Sequence, residues 1–427
     1  MSGATGRGQR DTGVDLRLRS PTPELLALPW EVPLADWDPD TTPLRALDVG
    51  PSRHLVRFVV ADGALWAVKE LPVRLAGREY EALRRMEAMA LPTVRAAGIV
   101  VQSVPDDRAL LLTRFLAGSW QYRRLFARLP PDRAVHRARL LDAMAGLLVE
   151  LHRHGVFWGD CSLANTLFTR DGQALAAHLV DAETAEIHPS LSDGQRRMDL
   201  DILVENVASG LIDVAASLGR PPEIEPRLIE EARGVPERYQ ALWDALHAEP
   251  QFAFSDRYRI ESTVRDLEEL GFVVDEVSLS PVAGGEVRLR VGVGDRRFHA
   301  QRMRDLTGLD VGEGQARVLL GDLQAHRGEL AREQGRAVSE GEAAASWLHD
   351  VLTPGMRRAH AAVDHVGTAV QAWCDLLEVR WLLSEAAGHD VGTARALTEL
   401  AERAPTDSAA RALVADTRHD LPVVPDS

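Results

Sequence analysis

The chain has 427 residues, and 49 basic against 64 acidic side chains give it a formal net charge of −15. This length predicts about two to three domains, and the acidic balance argues against nucleic acid or an anionic membrane as a partner. Two distant cysteines, no stretch of ~20 apolar residues and no apolar core near the start predict a cytoplasmic protein without a disulfide framework, membrane span or export signal.

The beginning of the chain reads as a tail followed by an aromatic segment. Residues 1–27 are predicted to be a disordered tail, because they begin polar, rich in glycine and arginine, and without periodicity. The segment from Leu28 to Trp37 then carries two tryptophans among prolines, which excludes a helix interior. We expect its rings to pack on the domain that follows.

The next segments predict a β hairpin with a lysine on one face. Residues 54–60 and 64–70 have strand-like composition and flank the turn residues Ala61-Asp62-Gly63. A period of two places Leu65, Ala67 and Lys69 on the same face. A flat ring could therefore lie on the small alanine while the lysine ammonium reaches phosphates.

Residues 78–90 predict a helix that supplies a partner for this lysine. Glu79 shares the apolar face of Leu83 and Met86. Glu81 is rotated roughly 200° from Glu79 and lies four residues before Arg85, which is typical of an exposed pair. If Lys69 has a buried carboxylate partner, Glu79 is the better candidate.

Two more strands, at 99–104 and 109–115, precede an amphipathic helix at 132–154 that ends near Gly155. The chain then reaches Asp160, Asn165 five positions on, and Asp181 after a hairpin that turns at Asp171-Gly172. Such a hairpin can bring Asn165 and Asp181 to the side of Asp160. One carboxylate could then orient a hydroxyl while the amide and the second carboxylate hold Mg²⁺.

Residues 45–255 resemble the protein-kinase-like superfamily, and the form His152-x-x-Gly155-Val156-x-x-Gly159-Asp160 is more similar to lipopolysaccharide kinases and small-molecule phosphotransferases than to regulatory protein kinases. The resemblance implies ATP and Mg²⁺ as cofactors, Asp160 as catalytic base, and Asn165 and Asp181 as metal ligands. It also implies that one aspartate at the start of the next helix braces the loop, with Asp199 slightly favoured over Asp201. The predicted nucleotide-binding residues are Lys69, Glu79, Ala67, Gly50, Ser52, Thr113 and Phe115.

Some positions depart from the kinase pattern. The loop before the first hairpin offers only Gly50-Pro51-Ser52, and Ser162 stands where many protein kinases have a lysine. Two hypotheses follow. The first is an ATP- and Mg²⁺-dependent phosphotransferase that transfers the γ-phosphate to an unknown hydroxyl acceptor. The second is a pseudokinase scaffold that binds nucleotide or a partner protein without catalysis.

The predicted fold class is α+β: a bilobal protein-kinase-like fold followed by a separate, mostly helical α+β domain. The predicted boundaries are 28–116 for an N-lobe, 117–255 for a helical C-lobe, 256–405 for a C-terminal accessory domain with a hairpin at 272–293, and 406–427 for a tail.

The arrangement as a whole resembles the bacterial family that carries the domain of unknown function numbered 4032. Residues 306–320 and 380–392 could each form a helix-turn-helix, which keeps open a third hypothesis, a nucleic-acid regulator, although the acidic charge makes nucleic acid an unlikely partner. A protein partner would bind through the C-terminal domain.

Overall fold

The computed structural model describes residues 14–47, 53–102, 108–116, 118–123, 125, 134–253, 255–256, 258–282 and 286–403. The predicted nucleotide-loop residues Gly50 and Ser52, the first 13 residues of the predicted tail, the hairpin turn at 283–285 and the predicted C-terminal tail lie outside these ranges.

The N-terminal part of the fold is an antiparallel sheet of six strands in the order β1-β5-β6-β4-β3-β2. Its strands are Val14–Leu18 (β1), Leu44–Arg45 (β2), Val56–Ala61 (β3), Ala64–Pro72 (β4), Arg95–Gln102 (β5) and Arg108–Arg114 (β6). The predicted hairpin is confirmed as β3 and β4, which pair from Val56 opposite Lys69 to Ala61 opposite Ala64.

The predicted tail over residues 1–27 is wrong for its second half. Val14, Leu16 and Leu18 alternate with charged residues, and this period of two lets β1 join the edge of the sheet beside β5 with its apolar side on the core. A short helix α1, Pro23–Leu26, follows, with Thr22 as its N-cap. The alternation is only five residues long, which is why the polar composition around it hid the strand.

The aromatic segment packs as expected. Trp30 and Trp37 are buried with Leu34 against sheet residues that include Val68 and Leu110. Each indole nitrogen donates to a backbone carbonyl, Trp30 to that of Leu25 at 2.8 Å and Trp37 to that of Val32 at 3.0 Å. The polar edges of the rings are therefore satisfied inside the core.

The helix after β4 is α2, Val73–Ala88, which packs against β4, β5 and β6. It begins five residues before the predicted start, because Ala76 extends the buried face of Tyr80, Leu83 and Met86 by one turn.

The catalytic region predicted from the sequence is built from short strands and two long helices. These elements are Ser119–Gln121 (β7), Ala134–Arg153 (α3), Val156–Phe157 (β8), Thr166–Asp171 (β9), Ala174–Leu179 (β10), Glu186–Ile187 (β11) and Asp193–Ser217 (α4). Strand β9 lies between β10 and β7, and β8 pairs with β11. The hairpin β9–β10 corresponds to the one predicted between Asn165 and Asp181.

The remainder is mostly helical with one small sheet in the order β12-β14-β13. After a 3₁₀ turn at Pro222–Ile224, the elements are Glu225–Arg233 (α5), Val235–His247 (α6), Gln251–Ala253 (β12), Tyr258–Glu269 (α7), Val274–Pro281 (β13), Glu286–Val293 (β14), Phe298–Thr307 (α8), Glu313–Gln334 (α9) and Glu340–Ser346 (α10). A π-helical stretch at Trp347–Leu352 then leads into Thr353–Ala362 (α11), Ala369–Ala387 (α12) and Gly392–Arg403 (α13).

The chain divides into two compact units that do not follow its order. The first comprises Met1–Leu116, Glu150–Leu167 and His178–Gly210, and the second comprises Ala117–Val149, Phe168–Ala177 and Leu211–Ser427. The predicted boundary between residues 255 and 256 falls inside the second unit, so the domain boundaries stay predictions. Across the described ranges, no helix is both long and apolar enough to cross a bilayer.

Candidate active site

Lys69 lies at the centre of the candidate site. Strand β4 places it opposite Val56 of β3 and Leu111 of β6. Its Nζ donates to Glu79 Oε2 at 3.0 Å and to Asp181 Oδ2 at 2.8 Å. The Glu79 side chain is 1% exposed, and the prediction that Glu79 rather than Glu81 is the buried partner is confirmed.

The pKa values of Lys69 and Glu79 are set by burial and by the contact of one ammonium with two carboxylates, those of Glu79 and Asp181. Burial opposes the charge on Lys69, but Glu79 and Asp181 outweigh it and raise the lysine pKa. Burial, together with the negative charge of Asp181, raises the pKa of Glu79 to about 7, although Lys69 acts in the opposite direction. The lysine therefore stays charged, and Glu79 ionises only at a higher pH than an exposed glutamate.

Asp160 is held by the asparagine five residues after it. Asn165 Nδ2 donates to the Asp160 backbone carbonyl at 3.2 Å and to Asp160 Oδ2 at 3.0 Å. The turn between them is tied by Ser162, whose Oγ accepts from the Asn165 N–H and whose carbonyl accepts from Thr166 Oγ1. Because the amide nitrogen of Asn165 donates to Asp160, its amide oxygen is the atom that could bind a cation.

The hairpin brings Asp181 to the same place. The Val180 N–H donates to the Asn165 carbonyl at 3.1 Å, which joins the two strands next to the predicted metal ligands. The Trp158 indole donates to the Asp181 carbonyl at 3.2 Å, and Thr184 Oγ1 donates to the Trp158 carbonyl at 2.8 Å. Lys69 contacts Asp181, Asn165 contacts Asp160, and the backbone hydrogen bond from Val180 to Asn165 joins these two pairs.

Asp199 lies below this loop, fully buried, whereas Asp201 is exposed. Its carboxylate accepts from the backbone N–H of Trp158 at 2.7 Å and of Gly159 at 2.8 Å, and it pairs with His152 Nε2 at 3.1 Å. Burial lowers the pKa of His152 despite this carboxylate, so a neutral ring that donates through Nε2 fits the site. The expected helix start at Asp199 is wrong, because α4 begins six residues earlier at Asp193.

The sequence analysis missed three residues of the site. Asn206 Nδ2 donates to the Cys161 carbonyl at 2.9 Å and lies 3.4 Å from Asp160 Oδ1. It is seven residues after Asp199, hence on the same face of α4, which is a signal the sequence does contain. His54 Nε2 lies 3.1 Å from Glu183 Oε2, and the same oxygen lies 4.0 Å from Lys69 Nζ. No spacing links these last two residues.

The predicted nucleotide-binding residues Ala67 and Thr113 lie on neighbouring strands, in a row that also contains Phe58, and Phe115 directly follows β6. Phe58, Ala67 and Thr113 stand directly opposite one another across β3, β4 and β6, on the sheet face that carries Lys69. The Phe115 N–H donates to the Leu65 carbonyl, and its ring meets that of Phe58 edge to face at 5.7 Å. These side chains form a row beside the lysine.

The oxygen atoms of the site suit Mg²⁺. In the described part of the chain, no group of three or more histidine, cysteine, aspartate or glutamate side chains is arranged to hold a metal ion. Magnesium commonly takes one or two carboxylates and completes its shell with phosphates and water. The Asp181 carboxylate and the Asn165 amide oxygen fit an ion that is shared with a nucleotide.

Comparisons with known proteins agree with this geometry. Residues 63–214 match the family model described as Lipopolysaccharide kinase (Kdo/WaaP) family, and residues 241–404 match that of the Domain of unknown function (DUF4032). No curated protein is similar enough to the chain to count as a match.

Two solved structures are similar to part of the chain at low identity. One, described as WaaP in complex with acyl carrier protein, is 20% identical, with 47% of this chain and 89% of that chain covered and a TM-score of 0.31. The other, a double mutant of the PknI kinase domain from Mycobacterium tuberculosis, is 17% identical, with 45% and 94% covered and a TM-score of 0.29. The chain has an α+β fold, and the two family matches confirm that a segment similar to the lipopolysaccharide kinase (Kdo/WaaP) family precedes a segment similar to DUF4032.

Proposed function

We propose that the protein is an ATP- and Mg²⁺-dependent phosphotransferase that transfers the γ-phosphate to a hydroxyl group of its acceptor. The observation that carries this proposal is that Lys69 contacts Glu79 and Asp181, that Asn165 contacts Asp160, and that the Val180–Asn165 backbone hydrogen bond joins the two groups. Phosphoryl transfer depends mainly on positioning and charge stabilisation, and this set supplies an ammonium, a candidate base and two oxygen ligands.

Each residue has a role that follows from its contacts. Asp160 is oriented by Asn165 and Asn206 and is the carboxylate that would accept the proton of the acceptor hydroxyl. Lys69 is held in place by Glu79 and would bind phosphate oxygens, while the row of Phe58, Ala67 and Thr113 offers an apolar surface to a flat base. Bound Mg²⁺, held by Asn165 and Asp181, would neutralise the phosphate charge.

A pseudokinase scaffold is the second candidate, and one observation favours it. Ser162 occupies the position where many protein kinases have a lysine that steadies the transferred phosphate, and its hydroxyl is engaged by the backbone N–H of Asn165. A site of this composition would bind Mg-ATP through Lys69 and Asp181 and recruit a partner without transferring phosphate.

Substitution of the two aspartates tests the proposal. We expect Asp160→Asn to bind Mg-ATP like the wild type but to lose ATP turnover by ~10²–10⁴-fold, the usual size of a general-base contribution. Asp181→Asn should weaken nucleotide binding in the presence of Mg²⁺, because it removes a charged ligand. The measurements are ATP turnover and the binding of a fluorescent ATP analogue with and without Mg²⁺.

The exposed Asp201, changed to Asn, is the matched control and should leave both quantities unchanged. Turnover that neither Asp160→Asn nor Asp181→Asn alters would remove these roles. Tight Mg-ATP binding by the wild type, with no transfer to water, to itself or to any acceptor tested, would instead establish the scaffold.

A further inference from the structure

The turn of the β9–β10 hairpin is hydrogen-bonded to two helices, α9 and α12, of the segment that matches DUF4032, residues 241–404. Asp171, at the end of β9, accepts hydrogen bonds from the backbone N–H groups of Gly314 and Gln315, both at 2.8 Å. These N–H groups belong to the first turn of α9, where a helix has no internal partners for them. A carboxylate in this place also complements the positive end of the helix dipole.

Gln371, in the first turn of α12, holds the next residue of the hairpin. Its Oε1 accepts from the Gly172 N–H at 3.1 Å and from Gln315 Nε2 at 3.0 Å. Its Nε2 donates to the Gly172 carbonyl at 2.9 Å and to Asp375 Oδ1 at 2.8 Å. The side chain is buried, and every polar group of the amide is used, so it fixes the turn in one geometry.

The backbones approach so closely that only glycine fits. A Cβ atom on Gly314 would lie 2.1 Å from the Asp171 carbonyl oxygen, and one on Gly172, where φ is +64°, would lie 2.5 Å from the Gly314 carbonyl oxygen. A Cβ on Gly312 would lie 2.2 Å from Asp171 Oδ1. The contact therefore depends on glycines on both sides.

A buried ion pair extends the contact along β9. The Arg170 guanidinium lies 2.8 Å from Asp375 Oδ1 and 3.5 Å from Glu378 Oε2, and its side chain is 7% exposed. Loss of one partner from such a pair is costly, because the other charge stays buried. The turn is thus joined to α9 and α12 by backbone, amide and charge contacts together.

We infer that the DUF4032 segment positions the metal-binding hairpin of the kinase-like segment, with Gln371 and the first turn of α9 as the positioning groups. The inference rests on the proposed roles of Asn165 and Asp181. Asn165 immediately precedes β9, and Asp181 follows β10 by two residues. The hairpin is extended by the three-residue strand β7, and so small a sheet gains little stability by itself. Contacts that fix its turn therefore also fix the two residues at its open end.

Glycine substitutions on one helix provide a matched test. Gly314→Ala adds a methyl group against Asp171, whereas Gly321→Ala adds one on the same helix where nothing lies within 4 Å. We expect Gly314→Ala to raise by about tenfold the Mg²⁺ concentration needed for half-maximal binding of a fluorescent ATP analogue, a typical effect of losing a group that orients metal ligands. Affinity for the metal-free analogue should not change, and Gly321→Ala should match the wild type.

Hydrogen exchange provides a readout that does not depend on activity. Amides of β9 and β10 should exchange about tenfold faster in Gly314→Ala than in Gly321→Ala. Equal exchange in the two variants would overturn the inference. Faster exchange in Gly314→Ala with an unchanged Mg²⁺ requirement would also overturn it, because the contact would then stabilise the hairpin without positioning the metal ligands.

A second variant keeps the test valid if Gly314→Ala does not fold. Gln371→Glu retains an acceptor for the Gly172 N–H but loses both donated hydrogen bonds, and the same two outcomes are expected. Since binding and exchange are measured without turnover, a wild type that transfers no phosphate would refute the proposed function while these comparisons still decide the inference.

Discussion

Lys69 is the one ammonium among the carboxylates of Glu79, Asp181 and, at 4.0 Å, Glu183. Nearby Asp160 adds a further carboxylate to the site. A triphosphate that enters here meets more negative than positive charge, so a divalent cation would have to accompany it. The charge balance of these side chains therefore supports the proposed Mg-nucleotide, and not free nucleotide, as the ligand.

The raised pKa of Glu79 predicts how stability depends on pH. The folded protein holds this proton up to a pH of about 7, whereas an unfolded glutamate releases it near its ordinary value of 4.5. Between these values the folded state binds more protons, so the contribution of Glu79 to the free energy of unfolding falls as pH rises, by about 1 kcal/mol per pH unit, and levels off above pH 7. Glu79→Gln should lack this decline.

Urea unfolding of the wild type and of Glu79→Gln between pH 5 and pH 8 measures the difference. Glu81→Gln, an exposed position on the same helix α2, is the control and should follow the wild type. A free energy of unfolding of the wild type that stays constant or rises, relative to that of Glu79→Gln, between pH 5 and pH 7 would show that burial does not dominate at this carboxylate.

Residue-level prediction succeeded where a local period or spacing decides the outcome. The helical period places Glu79 on the buried face of α2 and Glu81 on its exposed face. The interval of five residues from Asp160 to Asn165 is short enough for the two side chains to meet within one loop. His54 and Glu183 could not be paired in this way, because they are 129 residues apart in sequence and meet only after the sheet and the loop have folded. Contacts of that kind have no local signature.

Among the elements, α4 holds the loop from Trp158 to Cys161, which contains the proposed base Asp160. It presents Asp199 and Asn206, seven residues apart, to the backbone of the loop from Trp158 to Cys161. Its true start was visible in the sequence: Ser192 and Gln195 form a reciprocal cap, with Ser192 Oγ accepting from the Gln195 N–H and Gln195 Oε1 accepting from the Ser192 N–H. Ser192-Asp193-Gly194-Gln195 is thus a helix start.

Removal of the Asp199 carboxylate should destabilise this element strongly. Asp199→Ala leaves the N–H groups of Trp158 and Gly159 and the ring of His152 without their shared acceptor inside the core. We expect a loss of about 3 kcal/mol in the free energy of unfolding, measured in urea, while Asp201→Ala at an exposed position stays within about 0.5 kcal/mol of the wild type. A loss below about 1 kcal/mol for Asp199→Ala would contradict the bracing role.

At the scale of the whole molecule, the order of elements was predictable but their grouping was not. The hairpin, the helices and the C-terminal β strands follow from periodicity and turn residues. The second compact unit, however, combines 117–149, 168–177 and 211–403 of the described chain. Its joining contacts span 143 residues from Asp171 to Gly314 and 199 residues from Gly172 to Gln371. A sequence read in order suggests a boundary at 255, between two predicted helical segments, but this position lies within the second compact unit.

Division of the chain at that boundary should therefore disrupt folding. A fragment of residues 1–255 keeps Asp171 and Gly172 but loses α9 and α12, so the turn loses the hydrogen bonds that hold it in place. We expect this fragment to lack the cooperative thermal transition of the full chain, followed by circular dichroism, and residues 256–427 added in trans to restore it. A fragment that unfolds cooperatively at the midpoint of the full chain would show that the kinase-like segment is an independent domain.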